Sequence, residues 1–182
     1  ESVHTTEKAR IAEAAMELLP EEGAIALDAG SSTFRLAEIL PTDRQLTVVT
    51  NSLPIASMLA NRDTLTVHLV GGRVRGRTQA TVDHAALEYL RGVFVDIAFL
   101  GTNGFSVERG LTTPDSAEAA VKSAFIGAAR RSVLLADHTK YGSDHFAHFG
   151  DLAQVNTIVT DSELPNDAVL ELEAAGPKVV RA

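Results

Sequence analysis

Cysteine is absent from the 182 residues, which excludes disulfides, thiolate nucleophiles and Cys-based zinc sites. Basic residues are scarce as well. Sixteen Lys and Arg stand against 24 Asp and Glu, a formal charge of −8 that opposes non-specific attraction to nucleic acid or anionic lipid. By itself the chain is not expected to grip DNA. No apolar run approaches the ~20 residues of a membrane span, and nothing ahead of the first amphipathic stretch resembles a signal segment. A cytoplasmic protein without a membrane partner is expected. There is no P-loop and no GxGxxG, so nucleotide binding has little support. Ser31, Ser32, Ser52 and Ser116 lack the strained G-x-S-x-G turn of a serine hydrolase. His145 and His148, with Asp144 and Asp151 nearby, have no HExxH-like helical frame, and no metal or other cofactor is expected.

What is present is a chain of single-domain length, residues 1–182, with no internal repeat or low-complexity tract. It begins at Glu1 rather than Met, with a polar lead to Thr6, as a fragment or processed product would. Lys8 to Leu19 space their apolar residues as an amphipathic helix stopped by Pro20, a packing element with no chemistry of its own. Short β-rich runs follow at 24–27, 46–50, 65–70, 95–100, 133–136, 157–160 and 178–180. Helical patterns at 33–40, 53–60, 85–90, 117–129 and 168–174 separate most of them. The alternation predicts an α/β fold, a mostly parallel sheet flanked by helices, with ligands at the carboxyl ends of the strands. Residues 139–151, rich in Gly, Asp and His, form the one irregular stretch and are expected to line a site.

The first strand runs into Asp28-Ala29-Gly30-Ser31-Ser32-Thr33 and then a helix. A helix N-terminus offers unpaired N–H groups and a positive dipole end, Gly30 permits close backbone approach, and three hydroxyls add donors, which together suit a phosphate. Asp28 has the wrong sign for phosphate and is placed to accept hydrogen bonds from hydroxyls, which points to a phosphorylated sugar or polyol. A strand-to-helix turn with an ordinary Ser or Thr cap would carry the same residues. Other strand ends deliver further polar groups. Thr50-Asn51-Ser52 suit a sugar hydroxyl or an N-cap. Gly71-Gly72 precede Arg73, Arg75 and Arg77, of which one, Arg75 the candidate, is expected to meet a phosphate while the others form a solvated loop. Gly101-Thr102-Asn103-Gly104 follow the fourth strand. Asp137-His138-Thr139-Lys140 follow the fifth, with Lys140 a point charge for phosphate and Asp137 its pairing partner. Glu118 and Lys122, four apart on a helix, either point together into a site or form a surface pair worth roughly 0.2–0.5 kcal/mol.

Taken in order, these segments resemble the C-terminal sensor domain of the DeoR family of bacterial transcriptional repressors. The resemblance spans nearly the whole chain: residues 8–12, 27–33, Thr50-Asn51-Ser52, Gly71-Gly72, 96–101, Gly110-Leu111-Thr112-Thr113, 118–122, 136–142 and 158–161. It implies a fold like that of ribose-5-phosphate isomerase, the glucosamine-6-phosphate deaminases and the CoA-transferases. It also implies a sugar phosphate effector, with Gly30, Ser31, Ser32 and Thr33 on the phosphate, Lys140 assisting, and Asp28, Asn51, Gly71, Gly101, Glu118 and Lys122 at the sugar end. A winged helix-turn-helix precedes the domain in full-length family members, so contact with DNA is expected only through that segment, and a homo-oligomer is expected. Two positions depart from the family pattern. Asp83 stands where a glycine is expected, and Gly127-Ala128-Ala129 is smaller than usual.

A phosphosugar isomerase or deaminase of the same fold is the alternative to a sensor. The related pentose isomerase carries Asp-Gly-Ala-Asp-Glu where this chain has Leu100-Gly101-Thr102-Asn103-Gly104. An apolar residue and an amide replace acids needed for proton transfer, so no catalytic residue is expected and the sensor reading is favoured. The linkage would be thermodynamic: an effector preferring one arrangement of the intact protein shifts the DNA-binding equilibrium.

Overall fold

The computed structural model describes residues 4–182. The chain opens with α1 (Thr5–Met16), β1 (Glu22–Leu27), α2 (Ser31–Glu38), β2 (Gln45–Thr50), α3 (Leu53–Leu59) and β3 (Leu65–Leu69). A hairpin, β4 (Arg73–Arg75) and β5 (Ala80–Val82), leads to α4 (His84–Arg91) and β6 (Val95–Leu100). Then come β7 (Gly104–Ser106), β8 (Gly110–Thr113), α5 (Ser116–Ala128) and β9 (Ala129–Leu135). After a 3-10 turn (His138–Lys140) the chain closes with β10 (Ala147–Gly150), β11 (Thr157–Thr160), α6 (Asn166–Ala174) and β12 (Lys178–Arg181).

Seven strands form one sheet in the order β12-β11-β9-β6-β1-β2-β3, and every pairing in it is parallel. Alternate side chains of each strand enter different cores. Ile25 and Leu27 of β1 join Val48, Ile97 and Phe99 beneath Ile11, Leu36 and Ile55 of α1–α3. Ala26, Val49, Ala98 and Leu100 face the other way, beneath Leu90, Phe125 and Leu172 of α4–α6. Burial on both faces is why these strands read as unbroken apolar runs rather than alternating ones. Each fully buried aliphatic side chain contributes about 1.5–3 kcal/mol of transfer free energy. Among the described residues no helix is long and apolar enough to cross a membrane.

Local chemistry sets the helix starts. The Ser52 side chain accepts a hydrogen bond from Ile55 N with Pro54 in the first turn of α3, and Asp115 accepts from Glu118 N at the start of α5. Helix α1 stops at Met16 rather than Leu19, because Glu17 and Leu18 donate to Ala14 and Ala15 in tightened three-residue steps ahead of Pro20. Strand β9 begins at Ala129, four residues before the apolar run that marks it in the sequence. Arg130 and Arg131 are exposed and carry no hydropathy signal, yet Ala129 and Arg131 are in register with Val95 and Ile97.

Two small antiparallel units were not legible. One is the β4–β5 hairpin; the other is a three-stranded sheet, β10-β8-β7. Residues 139–151, expected to be irregular, supply β10, whose register shifts between His148 and Gly150 and so breaks the period-two pattern.

Candidate functional site

The strand order reverses between β1 and β6, and ligands of open parallel sheets bind in the crevice that such a reversal leaves at the carboxyl ends. A cavity of about 520 Å3 opens there, a size suited to a small organic ligand. Its floor is built from the two strand ends themselves. Gly101 N, after β6, donates to both carboxylate oxygens of Asp28, after β1, at 3.1 Å. From α5, Lys122 Nζ donates to Asp28 Oδ2 and, at 3.0 Å, to the Gly101 carbonyl. Asp28 is 1% exposed and Lys122 6%, so this is a buried, fully hydrogen-bonded ion pair. Asp28 therefore spends its carboxylate on the protein rather than on a ligand hydroxyl, the role its sequence context suggests.

The wall above is the start of α2. Gly30 is its N-cap, in extended backbone, and Phe34 N donates the first helical bond to Gly30 O at 3.0 Å. The amides of Ser31, Ser32 and Thr33 precede that bond and have no helical acceptor. Ser31 and Ser32 line the cavity. Thr33 does not: it is fully buried, and its hydroxyl donates to the carbonyls of Asp28 and Gly30 at 2.9 and 3.1 Å. Two of the three hydroxyls of the turn thus remain for a ligand, and the third braces the turn.

The β4–β5 hairpin forms the opposite wall. Arg75, Arg77 and Thr78 line the cavity, while Arg73 turns outward to Asp83 at 2.6 Å. Arg75 pairs with Glu118 and faces Asp115 at 3.7 Å, and Thr78 Oγ1 donates to Glu118 at 3.0 Å. Glu118 and Lys122 do share one helix face and do line the same cavity, but each is paired with a different element rather than with its neighbour. Asp83, where the family pattern has glycine, keeps a glycine-like backbone with φ 77° and ψ −163°.

Lys140 reaches the cavity from the 3-10 turn, and among the described residues no carboxylate pairs with it. Asp137 is not its partner. That carboxylate is buried and accepts from the amide of Thr139 at 2.9 Å and from its hydroxyl. Asn103 lines the cavity with its Oδ1 accepting from Thr113 Oγ1 at 2.7 Å. The remaining strand ends stay apart from it. Thr50 and Asn51 are buried beside the hairpin, where Asn51 Nδ2 donates to Thr81 O at 3.0 Å. Gly71 and Gly72 sit at its base, Gly72 with φ 142° and a backbone so close to Val82 that an added Cβ would meet its carbonyl.

Lys8 lines the cavity although α1 reads in the sequence as a packing helix only. Nothing local marks it, since its position depends on α1 lying across α2. Counting it, among the described residues five cations (Lys8, Arg75, Arg77, Lys122, Lys140) line the cavity against the carboxylates of Asp115 and Glu118, with Asp28 paired to Lys122 in its floor. In a chain of net charge −8 that local surplus is a focused positive field.

Two other polar groupings lie elsewhere. A cavity of about 600 Å3 beside the small sheet is lined in part by His145, Phe146 and His148. The two histidines have separate partners there, His145 the Asn103 carbonyl at 3.2 Å and His148 the Asp151 carboxylate at 2.9 Å. Asp137, His138 and Asp161 converge at the ends of β9 and β11, with one ligand-type atom of each within 4.8 Å of the others. Strand adjacency brings them together and cannot be read from the sequence. Burial opposes ionisation of Asp161, yet hydrogen bonds from the amides of His138 and Glu163 and from the His138 ring hold its carboxyl below the usual range.

A parallel sheet of seven strands flanked by helices, with its order reversing between β1 and β6, defines an α/β fold of the ribose-5-phosphate isomerase type. The isomerase A of Neisseria gonorrhoeae superposes on 75% of this chain and 53% of its own with a TM-score of 0.51 at 21% identity. A probable sor operon regulator from Shigella flexneri matches more fully, over 93% of this chain and 90% of its own, with a TM-score of 0.60 at 15% identity. The chain belongs to the DeoR C terminal sensor domain family, whose pattern it matches over residues 3–162. It is 39% identical over 173 residues to the HTH-type transcriptional regulator GlpR of Haloferax volcanii, covering 95% of this chain and 68% of that one. Similarity extends to the glycerol-3-phosphate regulon repressor of Escherichia coli K12, 29% identical over 90% of this chain and 65% of that one. The chain thus spans about two thirds of the length of these relatives, which are named as regulators rather than enzymes.

Proposed function

We propose that residues 1–182 act as one effector-binding unit of a transcriptional regulator of sugar metabolism, and that the effector is a phosphorylated sugar or polyol held in the β1/β6 cavity. The observation that carries this reading is the surplus of cations around free helix-start amides at the fold's reversal point. In it, the amides and hydroxyls of Ser31 and Ser32 take the phosphate with Lys140 and Lys8 as counter-charges, while Asn103 reads hydroxyls. The names of the relatives, one a glycerol-3-phosphate regulon repressor, support an effector of that class. DNA is contacted by a segment outside this chain, and the intact regulator is a homo-oligomer, since symmetric readers suit palindromic operators.

Binding without turnover is supported by how the acids are used. Asp28 is locked to Lys122 and Gly101, and Glu118 to Arg75 and Thr78. A general base must be free to take a proton from the substrate, and neither carboxylate is. The test is a thermal-shift panel of phosphorylated and unphosphorylated sugars. At about 100 times its Kd a ligand adds roughly 2.7 kcal/mol, which in a chain of this size raises Tm by roughly 5–10 °C. A shift from an unphosphorylated sugar alone overturns the phosphate assignment, and turnover of ribose 5-phosphate or glucosamine 6-phosphate at enzymatic rates overturns the sensor.

A further inference from the structure

The cavity is touched from two sides by parts that also touch each other away from it. Helix α1 packs across α2 and against β9 and β11. Its residue Lys8 lines the cavity, and the Lys8 amide closes the first helical turn by donating to the His4 carbonyl at 3.0 Å. His4, just before the helix, has a left-handed backbone with φ 58° and ψ 37°, a conformation that a non-glycine residue keeps only where its surroundings hold it. Its ring stands 3.8 Å from the Glu7 carboxylate in the first turn of α1 and meets the ring of His138 edge-on at 5.9 Å and 78°.

His138 begins the same short turn that ends in Lys140. That turn is stiff. Its amide donates to Asp161 Oδ1 at 2.7 Å, its ring nitrogens face Asp161 at 2.8 Å and Glu163 at 3.3 Å, and Lys140 N donates to Asp137 O at 3.1 Å. A pull on Lys140 from the cavity is poorly absorbed within three residues so pinned.

We infer that α1 and the His138–Lys140 turn form a relay: an anion drawn between Lys8 and Lys140 tightens the first turn of α1 through the His138–His4 ring contact. This rests on the reading of the cavity as an anion site. The relay gives that site an output: the opening turn of α1 is held more tightly when the site is filled. A second site biases the first only through such differential contacts.

Amide hydrogen exchange on the full chain tests it, with inorganic phosphate, glycerol 3-phosphate and fructose 1-phosphate as probes and calorimetry run alongside. A probe that binds should slow exchange of the amides of Lys8 to Ile11, whose helical acceptors are His4 to Glu7, by about fivefold or more. His4→Ala removes the ring contact without touching the cavity, so it should keep the probe's Kd within about twofold and lose the slowing. Heat from none of the probes ends the anion reading and the relay with it. Binding with unchanged exchange at residues 8–11 ends the relay alone, and slowing that survives His4→Ala overturns the route through His138.

Discussion

Replacing Lys122 by Met keeps the length and packing of the side chain but leaves the Asp28 carboxylate without its cation. Asp28 is 1% exposed and would retain only Gly101 N as a donor. Breaking one half of a buried pair costs about 3–5 kcal/mol, far more than an exposed pair is worth, because the remaining charge is left desolvated. At roughly 2–4 °C per kcal/mol for a chain of this size, Tm should fall by about 10 °C. Asp28→Asn retains an oxygen for Gly101 N, so the double variant Asp28→Asn/Lys122→Met has no buried charge and a satisfied amide. It should be more stable than Lys122→Met alone, with a coupling energy of about 2 kcal/mol or more between the two sites. Urea denaturation of the wild type, both single variants and the double variant measures this, read from Cm at constant m. If Lys122→Met costs less than about 1 kcal/mol, or if the two substitutions simply add, the pair is not the buried lock described above.

Gly71 has open space around it, whereas a Cβ on Gly72 would meet the Val82 carbonyl from a backbone of φ 142°. Gly71→Ala should therefore be near neutral and Gly72→Ala should cost about 1–3 kcal/mol by thermal melting; equal effects would contradict the fit of the hairpin. At Asp83, where φ is 77°, Gly should be more stable than Ala by about 1–3 kcal/mol, and an Ala variant as stable as the Gly variant would show that the backbone there is unstrained. Burial, with help from the Tyr141 hydroxyl donating to Glu171 at 2.9 Å, pushes the Tyr141 phenol up to about 12. Since the folded value lies above the ordinary ~10, its stabilising contribution is complete below pH ~10 and is lost as pH rises toward 12. Tyr89→Phe leaves Tyr141 as the sole tyrosine of the chain's two, so phenolate absorbance reports it alone, and a midpoint near 10 refutes the shift. Lys140→Ala should weaken binding of a phosphorylated ligand by roughly 10- to 100-fold, the worth of a charge-assisted hydrogen bond, with little change in stability; unchanged affinity in calorimetry removes Lys140 from the site.

The sequence by itself determined the large sheet. Strands buried on both faces must be apolar throughout, helices between them must repeat near every third or fourth residue, and both patterns survive without any knowledge of neighbours. The turn at 28–33 was legible for the same reason, since cap chemistry and helix-start amides are properties of a few consecutive residues. The first four residues of β9 and the two small antiparallel units escaped, because Arg130 and Arg131 or the exposed residues of the hairpin hold their places through register rather than hydropathy. Tertiary structure alone decided which polar groups meet. Thr33 turned inward, Asn51 went beneath the hairpin, Lys8 arrived from a helix that looked inert, and Asp28 and Lys122, 94 residues apart, became one buried pair. Partnerships of that kind depend on strand order and helix crossing, which no local spacing encodes, and they decide which charges remain free to hold a ligand.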